Sequence, residues 1–137
     1  MASQLKVDTL TGVTTAGSID VTGEGNSTTT NLQQGLVKAW HTIDGEGTIA
    51  IVDSFNIATV TDNDSGDYSF TYTNNMRTAK HPVTGSVVGA ATGNYYSFIS
   101  SDGVAQATTG NTTKNIHHNG AHQDTDPTHF VVHGDLA

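Results

Sequence analysis

Hydrophobic and polar residues alternate most regularly near the middle of the chain. Tyr68, Phe70 and Tyr72 are separated by single serine or threonine residues. Side chains of a β-strand point alternately to opposite faces, so this period of two is typical of a half-buried strand. The pattern predicts a strand from Tyr68 to Asn74 with one buried aromatic face and one solvated face.

Shorter apolar stretches recur along the rest of the chain, and each is bounded by Gly, Asn, Asp or Ser. We expect further strands at Leu36–Ile43, Thr48–Asp53, Ile57–Thr61, Val83–Val88, Tyr95–Ile99, Val104–Ala107 and Thr128–His133. The segments 44–47 and 62–66 are rich in glycine and short polar residues, which favour tight turns. A succession of short strands and turns predicts an all-β fold, an antiparallel β-sandwich of the jelly-roll type.

The first 31 residues have a different character. They contain two short extended pieces, Gln4–Leu10 and Ser18–Thr22, followed by a polar run at Asn26–Asn31 that has the composition of a linker. Neither piece is long enough to build a core. We therefore divide the chain into an N-terminal attachment or intertwining segment, residues 1–31, and a C-terminal β-sandwich domain, residues 32–137. The apolar residues of the attachment segment are Leu5, Val7, Leu10, Ile19 and Val21.

The boundary is followed by residues 32–40, which are compatible with one helical turn leading into a strand. Gly35 weakens a longer helix here. Trp40, the single tryptophan, is expected in the core.

Composition and charge narrow the classes of function. Hydrophobic residues make up 34% of the 137 residues and charged residues only 13%, whereas there are 23 Thr and 15 Gly. Abundant β-branched residues with little charge favour a folded β protein over a disordered chain. The net charge is −8, and the five basic residues are scattered singly, so we expect neither nucleic acid nor an anionic membrane as a partner.

Cysteine and long apolar runs are both missing from the sequence. Without cysteine there is no disulfide framework and no thiolate chemistry. No stretch approaches the length of a membrane-spanning helix, and the first ten residues lack the apolar run of a secretory signal. We expect a protein made in a cytoplasm, without membrane insertion.

A histidine-rich segment is the strongest candidate for chemistry. His117, His118 and His122 lie within six residues and are followed by Asp124 and Asp126. Imidazole and carboxylate groups are ligands for zinc or iron, although the spacing matches no named metal motif. On a threefold axis, one histidine per chain would supply three ligands. The favoured alternative is a polar, partly mobile loop from Gly110 to Pro127, with no cofactor.

The remaining motifs argue against catalysis. The segment Asp62–Asp67 is similar to a calcium loop, but the EF-hand pattern needs glycine at its sixth position and glutamate at its twelfth. Here Gly66 is fifth and Thr73 is twelfth. No phosphate-binding loop and no nucleophile elbow occurs, and the aspartates lie in turn-like contexts. We expect no enzymatic activity and assign no catalytic residue.

Two adjacent tyrosines, Tyr95 and Tyr96, are candidates for surface recognition. Neighbouring residues of a strand face opposite sides, so one of the two faces outward. An exposed tyrosine suits stacking on carbohydrate, and it also suits a subunit interface, which is the favoured interpretation.

Several motifs resemble a known family. Ser3–Leu10 (SQLKVDTL), Asn31–Trp40 (NLQQGLVKAW), Gly47–Ile57 (GTIAIVDSFNI) and the final His133–Ala137 (HGDLA) are similar to segments of short fibre-like virion proteins of marine tailed bacteriophages. The resemblance covers the first half of the chain and its last residues. Residues 79–128 carry no motif of the family.

The resemblance implies a homotrimer whose N-terminal segment docks on other virion proteins and whose β domain faces outward. The chain would then be a structural protein of the virion: a short tail fibre that contacts a host surface glycan or protein. The alternative is a head fibre or capsid decoration protein attached through its N-terminal segment. A third hypothesis, from a different class, is a metal- or carbohydrate-binding β module.

Overall fold

The computed structural model describes residues 4–13, 19–22, 29–88, 95–98, 106–117 and 119–137. The chain forms two compact units, Met1–Gly35 and Leu36–Ala137. The division lies four residues beyond the boundary predicted at residue 31.

In the part of the N-terminal unit that the structure describes, a pair of short strands is followed by one helical turn. Strand β1 (Asp20–Thr22) pairs antiparallel with β2 (Thr29–Asn31), and α1 (Leu32–Gly35) follows directly. The predicted linker therefore ends in a strand. The helical turn considered for this region is present, and the backbone N–H of Leu32 donates a hydrogen bond of 2.8 Å to the carbonyl of Ile19.

The described residues of the second unit form eight further strands. They are β3 (Val37–Asp44), β4 (Ala50–Phe55), β5 (Ile57–Asp64), β6 (Asp67–Tyr72), β7 (Val83–Val87), β8 (Tyr95–Phe98), β9 (Gly110–His117) and β10 (Thr128–His133). Sheet one has the order β4-β3-β10-β7, and sheet two has the order β5-β6-β9-β8. All the strand pairs are antiparallel. The predicted all-β antiparallel sandwich is confirmed.

The core lies between the two sheets. Phe70 on β6 meets Phe130 on β10 with ring centroids 4.3 Å apart, and both are almost completely buried. The buried hydrophobic cluster consists of Ala39, Phe70, Tyr72, Met76, Phe130 and Val132. Because Tyr68 and Tyr72 are buried along with Phe70, the aromatic face predicted for β6 is confirmed.

Strand β9 corrects one prediction. The polar segment expected to be a partly mobile loop from Gly110 to Pro127 begins with an eight-residue strand paired to both β6 and β8. Asn111, Thr113 and Asn115 are buried, although all three are polar. Hydrogen bonds replace part of their contact with water: the side-chain amide of Asn115 donates to the hydroxyls of Thr125 and Thr128, each at 2.8 Å. Among the described residues, the side-chain nitrogen of Asn111 and the carboxamide oxygen of Asn115 have no hydrogen-bond partner.

Trp40 corrects a second prediction. Ala39, His41 and Ile43 are buried on the core side of β3. Trp40 and Thr42 alternate with them, are half-buried, and therefore face outward from sheet one. On this strand it is His41, not Trp40, whose ring lies in the core.

The turn between β5 and β6 is shorter than predicted. Residues 62–64 continue β5, and Ser65 and Gly66 alone make the turn. Gly66 has φ +62°, and a Cβ there would lie 2.6 Å from the backbone N of Gln123, so both conformation and space require glycine.

Half of the strand predicted at Val104–Ala107, residues 104 and 105, lies outside the described residues. Ala107 itself forms an isolated bridge with Gly110.

Candidate recognition surfaces

Residues predicted for surface recognition from separate parts of the sequence meet at one end of sheet two. Strand pairing places Tyr95 opposite His117 and Tyr96 opposite Ile116. His122 forms an isolated bridge with Ile116 from the other side of the chain reversal. We call Tyr95, Tyr96, His117 and His122 the tyrosine–histidine end. His118 and the side chains of the two tyrosines lie outside the described part of the chain.

Backbone hydrogen bonds shape this end. The N–H of His117 donates to the carbonyl of Ala121 at 2.7 Å, and the N–H of Gly120 donates to the carbonyl of His117 at 2.8 Å. The carboxamide oxygen of Asn119 accepts from the N–H of Ala121 at 3.0 Å. These bonds form a tight turn that carries the exposed His122 back beside β9.

The predicted metal ligands are only partly brought together. Within the described residues, no group of three or more His, Asp or Glu side chains is arranged as metal ligands. Asp124 has a structural role instead: one of its carboxylate oxygens accepts hydrogen bonds from the hydroxyl of Tyr68 at 2.8 Å and from the N–H of Gly66 at 2.7 Å. A site on a threefold axis would take one ligand from each of three chains and stays a prediction.

Among the described histidines, the two most buried are ones to which no role was assigned. His81 is 3% exposed, and its Nε2 lies 2.9 Å from the hydroxyl of Tyr72 while its Nδ1 lies 2.9 Å from the carbonyl of Thr78. His41 is 1% exposed and has no hydrogen-bond partner for either nitrogen among the described residues. Burial, with a smaller contribution from His129, lowers the pKa of His41 to about 4.

A second surface, which the sequence did not indicate, covers the outer face of sheet one. Phe55 on β4 lies opposite Trp40 on β3, Trp40 lies opposite Val131 on β10, and Val131 lies opposite Thr84 on β7. Directly opposed residues of antiparallel strands lie on the same face. The four side chains therefore form one row across the whole sheet.

A polar row runs beside the first, two residues along each strand. It places Asp53 opposite Thr42, Thr42 opposite His129, and His129 opposite Ser86. The hydroxyl of Thr42 lies 3.0 Å from Nδ1 of His129. We call the two rows together the tryptophan face. Only the strand register could reveal this face, because its residues come from four separate stretches of sequence.

The apolar residues of the predicted attachment segment lie at the surface. The exposed fractions of Leu5, Val7, Leu10 and Val21 are 81%, 55%, 56% and 51%. Ile19 is half-buried. Among the residues of the N-terminal unit whose burial the structure describes, which exclude Gln33 and Gln34, none is buried.

No family model matches the sequence, and no curated protein or solved structure is significantly similar to it. Within the described residues, no helix combines the length and apolar character needed to span a membrane.

Proposed function

We propose that the chain is a non-enzymatic structural subunit of a tailed-phage virion, a short trimeric tail fibre whose N-terminal unit holds it to the particle and whose β-sandwich contacts the host surface. One observation carries this proposal. The chain combines a sandwich that has its own core with an N-terminal unit whose apolar side chains are exposed.

The N-terminal unit fits an attachment role because its exposed apolar residues have a reason to be covered in an assembly. Leu5, Val7 and Leu10 lie in a stretch that has no strand partner among the described residues. Burying apolar surface stabilises an assembly by about 25 cal/mol per Å², so three such side chains contribute several kcal/mol per chain. Trimerisation would multiply that contribution and satisfy the backbone groups of the extended stretch.

The sandwich fits the role of the outward-facing domain. Its described surface includes the tyrosine–histidine end and the tryptophan face. The resemblance of Ser3–Leu10 and Asn31–Trp40 to fibre-like virion proteins agrees with attachment by the N-terminal unit and host contact by the sandwich.

The second candidate is a head fibre or capsid decoration protein. Attachment through exposed apolar residues such as Leu5, Val7 and Leu10 would serve on a capsid as well as on a tail.

Immunogold labelling distinguishes the two candidates. An antibody raised against residues 36–137 is applied to intact virions of the phage that encodes the chain. Label at the tail supports the tail fibre, and label over the head supports the head fibre or decoration protein. Virions that carry no label refute both.

Sedimentation velocity of the purified full chain tests the trimer. A species of three times the 14.3 kDa chain mass is expected at micromolar concentration. The double substitution Leu5→Asp with Val7→Asp is expected to prevent incorporation into virions, whereas Thr9→Asp, in the same stretch, serves as the matched control. A monomeric wild-type chain would contradict the trimer.

A further inference from the structure

The tryptophan face combines apolar and hydrogen-bonding groups in an order that strand geometry fixes. Adjacent strands lie roughly 4.8 Å apart, so the row from Phe55 to Thr84 is about 14 Å long. The polar row runs parallel to it at about 7 Å, the length of two residues along a strand. Phe55 is 52% exposed and Trp40 is half-buried, so an aromatic surface is accessible beside a line of polar groups.

The polar row offers both donors and acceptors. The carboxylate of Asp53 accepts only, and one of its oxygens already accepts from the N–H of Ser54 at 2.8 Å. The hydroxyls of Thr42 and Ser86 donate and accept. The hydroxyl of Thr42 contacts Nδ1 of His129, so Nε2 of that ring is the nitrogen that can hydrogen-bond a ligand.

We propose that the tryptophan face binds a neutral saccharide chain, with pyranose rings stacked on Trp40 and Phe55 and their hydroxyls hydrogen-bonded to Asp53, Thr42 and His129. A pyranose ring has an apolar face of C–H groups and a rim of hydroxyls that both donate and accept. The two rows present the complementary arrangement, an apolar surface beside mixed polar groups. The inference rests on the proposed function, since host contact is the role that a surface glycan would serve.

Charge selects a neutral ligand. Asp53 belongs to the face, and the chain as a whole has a net charge of −8. Phosphate, sulfate or sialic acid groups would be repelled at this face, and their affinity would fall further at low ionic strength.

The size of the face disfavours a second copy of the chain as the occupant. Two rows about 14 Å long and about 7 Å apart, with their side-chain margins, cover roughly 200 Å². A stable protein interface buries about 800 Å² on each partner. In addition, β3 and β10 are central strands whose backbone groups are already paired within sheet one, so an added strand cannot dock on Trp40 or Val131.

The position of the single tryptophan makes the test direct, because all indole fluorescence reports on this face. The labelled full chain is first applied to an array of immobilised neutral and anionic glycans. The soluble form of the best-bound neutral glycan is then titrated into the unlabelled chain while Trp40 emission is recorded. We expect binding to neutral glycans and a saturable change in emission.

Two variants on the same strand provide the comparison. Phe55→Ser removes an aromatic residue of the face, and we expect it to weaken the apparent affinity by about tenfold or more. Val52→Ser removes an apolar residue that is 63% exposed but lies outside both rows, and it should bind as the wild type does. Asp53→Asn, which keeps the shape of the side chain, is expected to weaken binding without altering the circular dichroism spectrum.

Any of the following glycan-binding results would overturn the inference: no bound neutral glycan on the array; exclusive binding of anionic glycans; binding that leaves Trp40 emission unchanged; or equal binding by Phe55→Ser and wild type. Emission that shifts on dilution without any glycan would assign the face to contacts between copies instead and would also overturn it. These outcomes concern the purified chain, so they are independent of where the antibody labels the virion. If the purified chain binds glycans but the antibody does not label virions, glycan binding by the tryptophan face would stand and the virion role would be refuted.

Discussion

The ring of His41 lies almost parallel to the ring of Phe130, with centroids 5.2 Å apart and 8° between the planes. Phe70 meets the same imidazole edge-on at 5.0 Å. A histidine thus occupies an aromatic position in the core between the two sheets. Only the neutral imidazole suits this apolar site, because burial of a charge without a partner is costly.

This placement predicts a pH dependence of stability. His41 has a pKa near 6.5 in the unfolded chain and about 4 in the folded one. Above pH 6.5 both states are neutral and its contribution to stability is complete. As the pH falls from 6.5 to 4, the unfolded state binds a proton that the folded state does not, so the free energy of unfolding decreases, by about 3 kcal/mol at most.

Urea unfolding at fixed protein concentration and several pH values between 7.5 and 4 measures this loss. The control is His41→Leu, which fills a similar volume and cannot titrate. Its free energy of unfolding should decrease less over the same interval, by the share that belongs to His41. Parallel pH profiles for the two proteins would contradict the assignment.

The hydrogen bonds of Asp124 predict a second stability effect. Its carboxylate accepts from the buried hydroxyl of Tyr68 and from the N–H of Gly66, and so links the β5–β6 turn to the segment that precedes β10. Asp124→Ala leaves both donors without this partner and should reduce the free energy of unfolding by about 2 to 4 kcal/mol. Tyr68→Phe should cost only about 1 kcal/mol, because donor and desolvation cost are removed together.

The double variant tests whether the two residues act as a pair. We expect the combined loss, measured by urea unfolding, to be smaller than the sum of the single losses by about 1 kcal/mol. Strictly additive losses would show that the contact between Tyr68 and Asp124 contributes nothing.

Two glycines have similar backbone angles but different surroundings, so substituting each by alanine should have different costs. Gly66 has φ +62° and Gly47 has φ +67°. A Cβ at Gly66 would meet the backbone of Gln123 and Asn115, whereas nothing lies within 4 Å of a Cβ at Gly47.

Substitution by alanine separates the two costs. Gly47→Ala should lose about 1 kcal/mol, the cost of a left-handed conformation for an alanine. Gly66→Ala should lose clearly more, about 3 kcal/mol, because backbone atoms cannot move aside cheaply. Thermal unfolding of both variants under identical conditions checks the order, which equal losses would contradict.

The buried amide of Asn115 predicts that the polar interior of β9 is essential. Asn115 is 2% exposed and donates to the hydroxyls of Thr125 and Thr128, which lie 2.8 Å from each other. Asn115→Ala should cost about 2 to 4 kcal/mol, because it creates a cavity and removes two donors. Asn119→Ala, in the exposed turn of the same segment, is the control and should cost less than about 1 kcal/mol in chemical unfolding.

The β class and several strand positions could be predicted from local patterns in the sequence alone. Tyr68, Phe70 and Tyr72 could be assigned to a buried face because alternation with period two is a local property of the chain. The same holds for β3, β5, β7 and β10, whose apolar residues and bounding turns are contiguous in sequence. The hairpin between β3 and β4 also followed from a local turn signal.

Tertiary structure decided which polar residues are buried. Asn111, Thr113 and Asn115 have the polar composition of a loop, and their burial in β9 depends on elements that only folding brings near. Thr125 and Thr128, the partners of Asn115, are an example. Trp40, expected in the core, lies on the outer face of β3, and His41 lies in the core, for a related reason. The strand's alternation specifies that they lie on opposite faces, but which face is the core depends on how sheet two packs against β3.

The two surfaces differ in the same way. Tyr95, Tyr96, His117 and His122 could be chosen from the sequence as candidate surface residues. Only the pairing of β8 with β9 and the bridge between His122 and Ile116 bring them to one end of a sheet. No pattern in the sequence indicated the tryptophan face. Its rows run perpendicular to the strands, so each neighbour in space comes from a different stretch of the chain, and the antiparallel register alone determines which residues meet.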